Sequence, residues 1–166
     1  LQRRRNTAVA RKWQRTQIRG STPSRTIQSP LRGITAPAMG IQAINQYTMT
    51  LISLIIALIM VESSGNNDAI GDNGKAYGCL QLHAAYVQDA AEYAGKNWVH
   101  EDAFDRNTSI QIFKAYMARY ATEERLGRNP TASDIARIHN GGPNGYKKSA
   151  TDKYLLKVKA AFKQTN

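Results

Sequence analysis

Thirteen consecutive residues, from Met49 to Val61, are almost wholly apolar, and the first acidic residue of the chain, Glu62, follows them directly. That run is too short to cross a bilayer, which takes about 20 residues, but it suits a buried core helix or the h-region of a signal peptide. Read from Met49 the segment has no basic n-region, and cleavage near Ser63 or Ser64 would discard Glu62. A core helix is therefore expected. Downstream, Asn73-Gly74 is flanked by short apolar stretches, which predicts a small β-hairpin. His83 to Ala94 reads as a helix stopped by Gly95. Thr108 to Leu126 reads as one amphipathic helix, with Ile112, Phe113, Tyr116, Met117 and Tyr120 inward and Gly127 as its stop. Thr131-Ala-Ser-Asp134 predicts a capping box that opens a short helix through Ile138, ended by Asn140-Gly-Gly-Pro143. A last helix is expected from about Thr151 to Lys163, with Tyr154, Leu155, Val158 and Phe162 inward. The fold class is α+β, predominantly helical, with one small β-hairpin.

Upstream of the apolar run the pattern changes. Residues 1–48 hold nine Arg and Lys, no Asp or Glu, prolines at 23, 30 and 37, and glycines at 20, 33 and 40. The rest of the chain holds 14 basic and 12 acidic residues, so most of the formal +11 charge belongs to the first segment. Such a segment buries too little apolar surface to offset its ordering entropy, and disorder is expected there. The division is thus a basic arm, 1–48, and one folded domain, 49–166. The arm reads as an anchor for an anionic surface, as a targeting segment, or as sequence foreign to the native product. No specific nucleic-acid partner is expected, since most such Arg clusters are simply solvated.

A single cysteine, Cys79, excludes an intramolecular disulfide framework. The three histidines, His83, His100 and His139, are far apart, with no zinc-ligand spacing. Neither a metal nor another cofactor is expected, and the domain is expected to be monomeric.

Chemistry concentrates in the acidic residues that follow the apolar run. Ile59, Met60 and Val61 supply low-dielectric walls for Glu62, which should raise its pKa and suit it to donate a proton. Asp72, ten positions on in a polar turn, should stay ionised, and Asp68 is the other nearby carboxylate. Two carboxyls in opposed environments are what glycoside hydrolysis uses. Against this, Glu62 also reads as a solvated helix-end residue and Asp72 as an ordinary turn former. The cluster His139-Asn140-Gly141-Gly142-Pro143-Asn144-Gly145-Tyr146 makes a rigid loop. His139, Asn140, Gly141 and Tyr146 are its candidate sugar-binding positions, with Tyr77 and Gln81 added from the hairpin region and Trp98 a weaker candidate. A plain helix-ending loop is the competing reading.

Val61-Glu-Ser-Ser-Gly-Asn66 and Ala69-Ile-Gly-Asp-Asn-Gly-Lys-Ala-Tyr-Gly-Cys-Leu-Gln-Leu82 resemble the catalytic segment of the lysozyme superfamily. Met117-Ala-Arg-Tyr-Ala-Thr122 and Ala136-Arg-Ile-His-Asn-Gly-Gly-Pro-Asn-Gly145 are most similar to the invertebrate-type, destabilase-like lysozymes. The resemblance covers roughly residues 50–163, and its most specific part is the His-Asn-Gly-Gly-Pro-Asn-Gly run. It implies a lysozyme-like fold with a cleft beside the hairpin. It also implies hydrolysis of the β-1,4 bond between N-acetylmuramic acid and N-acetylglucosamine in peptidoglycan strands, outside the cytoplasm. The family's catalytic Glu falls on Glu62 and its catalytic Asp on Asp72. Animal members are dense in disulfides, so the lone Cys79 resembles a microbial or phage branch. The isopeptidase activity of some members does not carry over, because Lys75, Ala76 and Tyr77 stand where a serine would be needed. Two other functions compete: a lytic transglycosylase, which needs Glu62 alone, and a wall-binding module without catalysis.

Overall fold

The computed structural model describes residues 41–164. Residues 1–40 of the expected basic arm lie outside the described residues. Helix α1 (Ile41–Ser63) begins upstream of Met49 and contains the whole apolar run. Ser53, Leu54, Ile55, Ala57, Leu58 and Ile59 are buried, whereas Ile52, Ile56 and Met60 form an exposed stripe at four-residue spacing. The run is a core helix, and among the described residues no helix is long and apolar enough to cross a membrane.

After α1 the chain forms a three-stranded antiparallel sheet from β1 (Ile70–Gly71), β2 (Ala76–Tyr77) and β3 (Leu82–His83), in the order β1-β2-β3. Ile70 faces Tyr77 and Gly71 faces Ala76; Ala76 then faces His83 and Tyr77 faces Leu82. The expected Asn73-Gly74 turn is present, in a run of left-handed residues with Asp72, Asn73 and Gly74 at φ 47°, 54° and 85°. The expectation of a single hairpin needs correction, because a second reversal at Gly78–Gln81 adds β3. Its Gly78 is irreplaceable on steric grounds: φ is 75°, and a Cβ there would lie 1.8 Å from Ala103 O. Two-residue strands are too short to show an alternating pattern, and this reversal therefore left no signal.

Helix α2 (Ala84–Ala94) ends at Gly95 (φ 63°), where Lys96 N donates to Ala91 O. A 3-10 turn (His100–Phe104) leads to α3 (Arg106–Tyr120), which is capped by Asp105 accepting from Thr108 N at 2.7 Å. The single helix expected over 108–126 is broken. Ala121 leaves helical geometry (ψ 64°), and Thr122 caps a separate turn, α4 (Glu123–Leu126), by accepting from Arg125 N. A Thr in an apolar-periodic stretch chose the cap over the helix interior, as short hydroxyl side chains tend to do. Gly127 still ends the segment, at φ 72°.

The capping box at Thr131 and Asp134 opens α5 (Ala132–Gly141), which runs past Ile138 and takes in His139 and Asn140. Two 3-10 turns (Gly145–Lys147 and Ser149–Thr151) then deliver α6 (Asp152–Gln164). Helix α6 packs along α1, α2 along α3, and α5 touches α1, α3 and α6. Leu58, Leu80, Leu82, Ile112, Phe113 and Ile138 fill the interior between them.

Candidate active site

Glu62 sits in the last turn of α1, and the backbone turns sharply away just beyond it. Ser64 and Gly65 take φ 54° and 88°, and Gly65 N reaches back to Ile59 O. Two further bonds fix this exit. Ser63 Oγ donates to Cys79 O at 2.9 Å, joining the helix end to the sheet. Arg106 donates through Nη2 to Gly65 O at 2.5 Å and through Nε to Asn67 Oδ1 at 2.9 Å. Glu62 is thereby presented from a rigid frame rather than from a free helix end.

Its carboxyl is held from two other helices. Tyr154 of α6 donates its hydroxyl to Glu62 Oε1 at 2.6 Å, and His139 Nε2 of α5 lies 3.4 Å from the same oxygen. The apolar walls read from the sequence are real, and burial does push the Glu62 carboxyl up. The hydrogen bond and charge of His139, with the Tyr154 hydroxyl, outweigh that push and hold Glu62 below its ordinary range. The expected net rise is therefore corrected for the free protein, because two donors far off in the sequence reach the group. Tyr154 responds in the opposite sense: burial, then the Glu62 charge and hydrogen bond, raise its phenol strongly.

The segment after α5 carries the chain to Tyr154. Gly145 is buried, and a Cβ there would lie 1.9 Å from Arg137 O. Arg137 donates to Thr151 Oγ1 at 2.9 Å and to Lys148 O at 2.7 Å, and pairs with Asp152 Oδ1 at 2.7 Å. Helix α6 starts at this network, and Tyr154 lies in its first turn. The density of Gly, Asn and Pro here thus serves to fold the chain tightly enough to aim Tyr154 at Glu62.

The other predicted positions divide. Asp72 is exposed on its left-handed turn, and its Oδ2 lies 3.3 Å from His83 Nε2. The charge of His83 also acts on Glu62, so one histidine is felt by both carboxyls. His139 joins Glu62 but is buried. Gln81 spends its amide on Ala69 O (3.1 Å) and Gly78 O (2.8 Å), bracing the sheet. Tyr77 stacks between His100 (3.8 Å) and Phe104 (4.7 Å). Tyr146 donates to Arg125 O at 3.3 Å, tying its turn to α4. Asn140 is exposed, and Gly141 O accepts from Lys148 Nζ at 2.7 Å.

Residues 54–162 match the family described as Destabilase. The chain belongs to the Destabilase family. A lysozyme of Ostrea edulis is 30% identical over 128 residues, 64% of this chain and 91% of that protein. An invertebrate-type lysozyme of Ruditapes philippinarum is 40% identical over 77 residues, covering 46% of this chain and 54% of its own length. Among solved structures, Tapes japonica lysozyme aligns with a TM-score of 0.54 at 29% identity, over 64% of this chain and 85% of that one. A chain from the crystal structure of Aeromonas hydrophila PliI in complex with Meretrix lusoria lysozyme aligns with a TM-score of 0.55 at 28% identity, over 65% of this chain and 87% of that one. The lysozyme-like fold expected from the sequence is thus the fold observed.

Three residues that the structure groups around Glu62 and Asp72 are not among the sequence-predicted site positions: Tyr154, His83 and Tyr86. Tyr154 was placed inward by its helical spacing, and a buried tyrosine hydroxyl needs a polar partner. That need was the available signal. His83 and Tyr86 carried none.

Proposed function

We propose that this chain is a peptidoglycan hydrolase of the lysozyme type, with Glu62 as proton donor and Asp72 as the second carboxylate. The observation that carries the assignment of Glu62 is its half-buried carboxyl, held on Oε1 by Tyr154 and His139. The family, the relatives named as lysozymes and the lysozyme structures support the glycoside hydrolase class. Glu62 protonates the glycosidic oxygen of the β-1,4 bond between N-acetylmuramic acid and N-acetylglucosamine as the C–O bond breaks. A bound sugar strips the remaining water from Glu62, which adds to the burial that already favours its protonated form. Asp72, exposed beside His83, then stabilises the oxocarbenium-like centre or attacks it.

Release of new reducing ends from purified peptidoglycan tests the reading, and an active preparation should produce them in proportion to enzyme. A transglycosylase would leave anhydro ends instead. The lone Cys79 supports placing the chain in a disulfide-free microbial or phage branch, beside bivalve relatives. The nine basic residues of 1–48 support a role in concentrating the enzyme on anionic walls, an attraction that should fade as salt rises.

A further inference from the structure

The surroundings of Glu62 treat its two oxygens differently. Both partners converge on Oε1. Oε2 has no hydrogen-bond partner among the described residues, and it is not fully buried, since the buried side-chain polar atom without a partner among those residues is Ser109 Oγ, elsewhere, in α3.

The partners of Oε1 are themselves immobilised. The ring of His139 stands edge-on to Tyr86 (5.7 Å, 83°) and to Phe113 (5.5 Å, 71°). Its Nδ1 lies 3.4 Å from the Tyr86 hydroxyl, and Tyr86 is stacked on Tyr116 at 3.6 Å. The ring is thereby held with Nε2 facing Glu62, and a neutral or a charged imidazole can carry a proton there.

We infer that His139 and Tyr154 are positioning residues that pin Oε1, with Tyr86 fixing the orientation of the His139 ring, so that Oε2 alone carries the proton delivered to substrate. The inference rests on Glu62 being the donor proposed above. In the forward step the Oε2–H bond breaks, the proton passes to the glycosidic oxygen, and that oxygen keeps the electron pair of the cleaved C–O bond. The negative charge left on Glu62 is received at Oε1 by two donors already in place. The water that later attacks the sugar returns its proton to Oε2. His139 is thus a buried support of the donor, not the sugar contact read from its loop. The groups facing this pair are Tyr154 from α6, His83 from β3 and Tyr86 from α2, with Tyr116 of α3 behind Tyr86.

His139→Leu, Tyr154→Phe and His139→Gln test this in the full chain, with circular dichroism as the check on folding. Loss of either pin should lower kcat by about 10- to 100-fold with KM little changed, because a small misplacement of a reacting group costs that much. The upper limb of the kcat–pH profile should move to higher pH, since a donor that favoured the carboxylate has gone. His139→Gln, which can offer an amide N–H in place of Nε2–H, should recover most of the loss. A 13C titration of the Glu62 carboxyl should show its midpoint rising in both Tyr154→Phe and His139→Leu. A midpoint unmoved in the folded variants overturns the inference, whether or not the chain cleaves glycan. A loss confined to KM in His139→Leu also overturns it, and restores His139 as a sugar contact. Absence of cleavage by the wild type, with the midpoint shifted as expected, would instead reject the proposed function alone.

Discussion

His83 Nε2 lies 3.3 Å from Asp72 Oδ2, so the last strand of the sheet holds the turn that joins its first two strands. Both side chains are about half exposed, and an exposed ion pair contributes little to stability, from zero to about 1 kcal/mol. Stability and activity should therefore separate at this pair. Asp72→Asn should leave the melting temperature nearly unchanged and lower muramidase turnover by roughly 10²–10³-fold, the usual cost of losing one group that stabilises developing charge. Thermal unfolding and initial rates on soluble glycan check both halves. A transglycosylase would keep most of its rate.

Asp134 should set the acid limit of the fold. Burial pushes its carboxyl up, but the hydrogen bonds and charge of Arg128 and the bonds from Thr131 outweigh this and hold it below its ordinary range. A group depressed on folding contributes stability that is present above its unfolded value, near about 4, and is lost as pH falls through the folded one. Glu62 carries the same sign. Asp134→Asn should therefore be less stable than wild type at neutral pH, and the gap should narrow on acidification below that range. Denaturant midpoints measured as a function of pH read it directly. Asp134→Ala should cost about 1–3 kcal/mol, chiefly through the lost bonds that Arg128 and Thr131 donate to its carboxylate.

Gly78 and Gly145 should tolerate no side chain. A Cβ would come within 1.8 Å of Ala103 O at the first and 1.9 Å of Arg137 O at the second, and both obstacles are backbone. Each Gly→Ala change should cost about 1–3 kcal/mol or more, as overpacking does. Gly74 and Gly95 also have positive φ but meet nothing within 4 Å, so alanine there should cost about 1–2 kcal/mol from backbone strain alone. Urea unfolding of the four variants gives the order.

Much of this fold could be read from residues. The apolar run, Gly95, Gly127 and the Thr131–Asp134 box each act locally, and each appears where its chemistry placed it. The break at Ala121–Thr122 and the third strand were invisible, because a one-turn helix and two-residue strands carry too few positions to form a period. For the candidate site, the two carboxyls stand out in the sequence and their surroundings do not. Glu62 announced its burial through the residues before it. Its partner Tyr154 is 92 positions away, and no local pattern shows that two helices will bring these groups to 2.6 Å. The long-range approach of His139, and after it of Tyr154, is why the sequence suggests a raised pKa and the assembled surroundings favour a lowered one.

Mass spectrometry of peptidoglycan digested by wild type and by Glu62→Gln probes the proton donor most directly. Wild type should release fragments ending in reducing N-acetylmuramic acid, and the folded Glu62→Gln variant should release at least about 10³-fold fewer, since both proton donation and the carboxylate it leaves are lost. Equal yields from the two proteins, or anhydro ends in the wild-type digest, would contradict a muramidase built on Glu62.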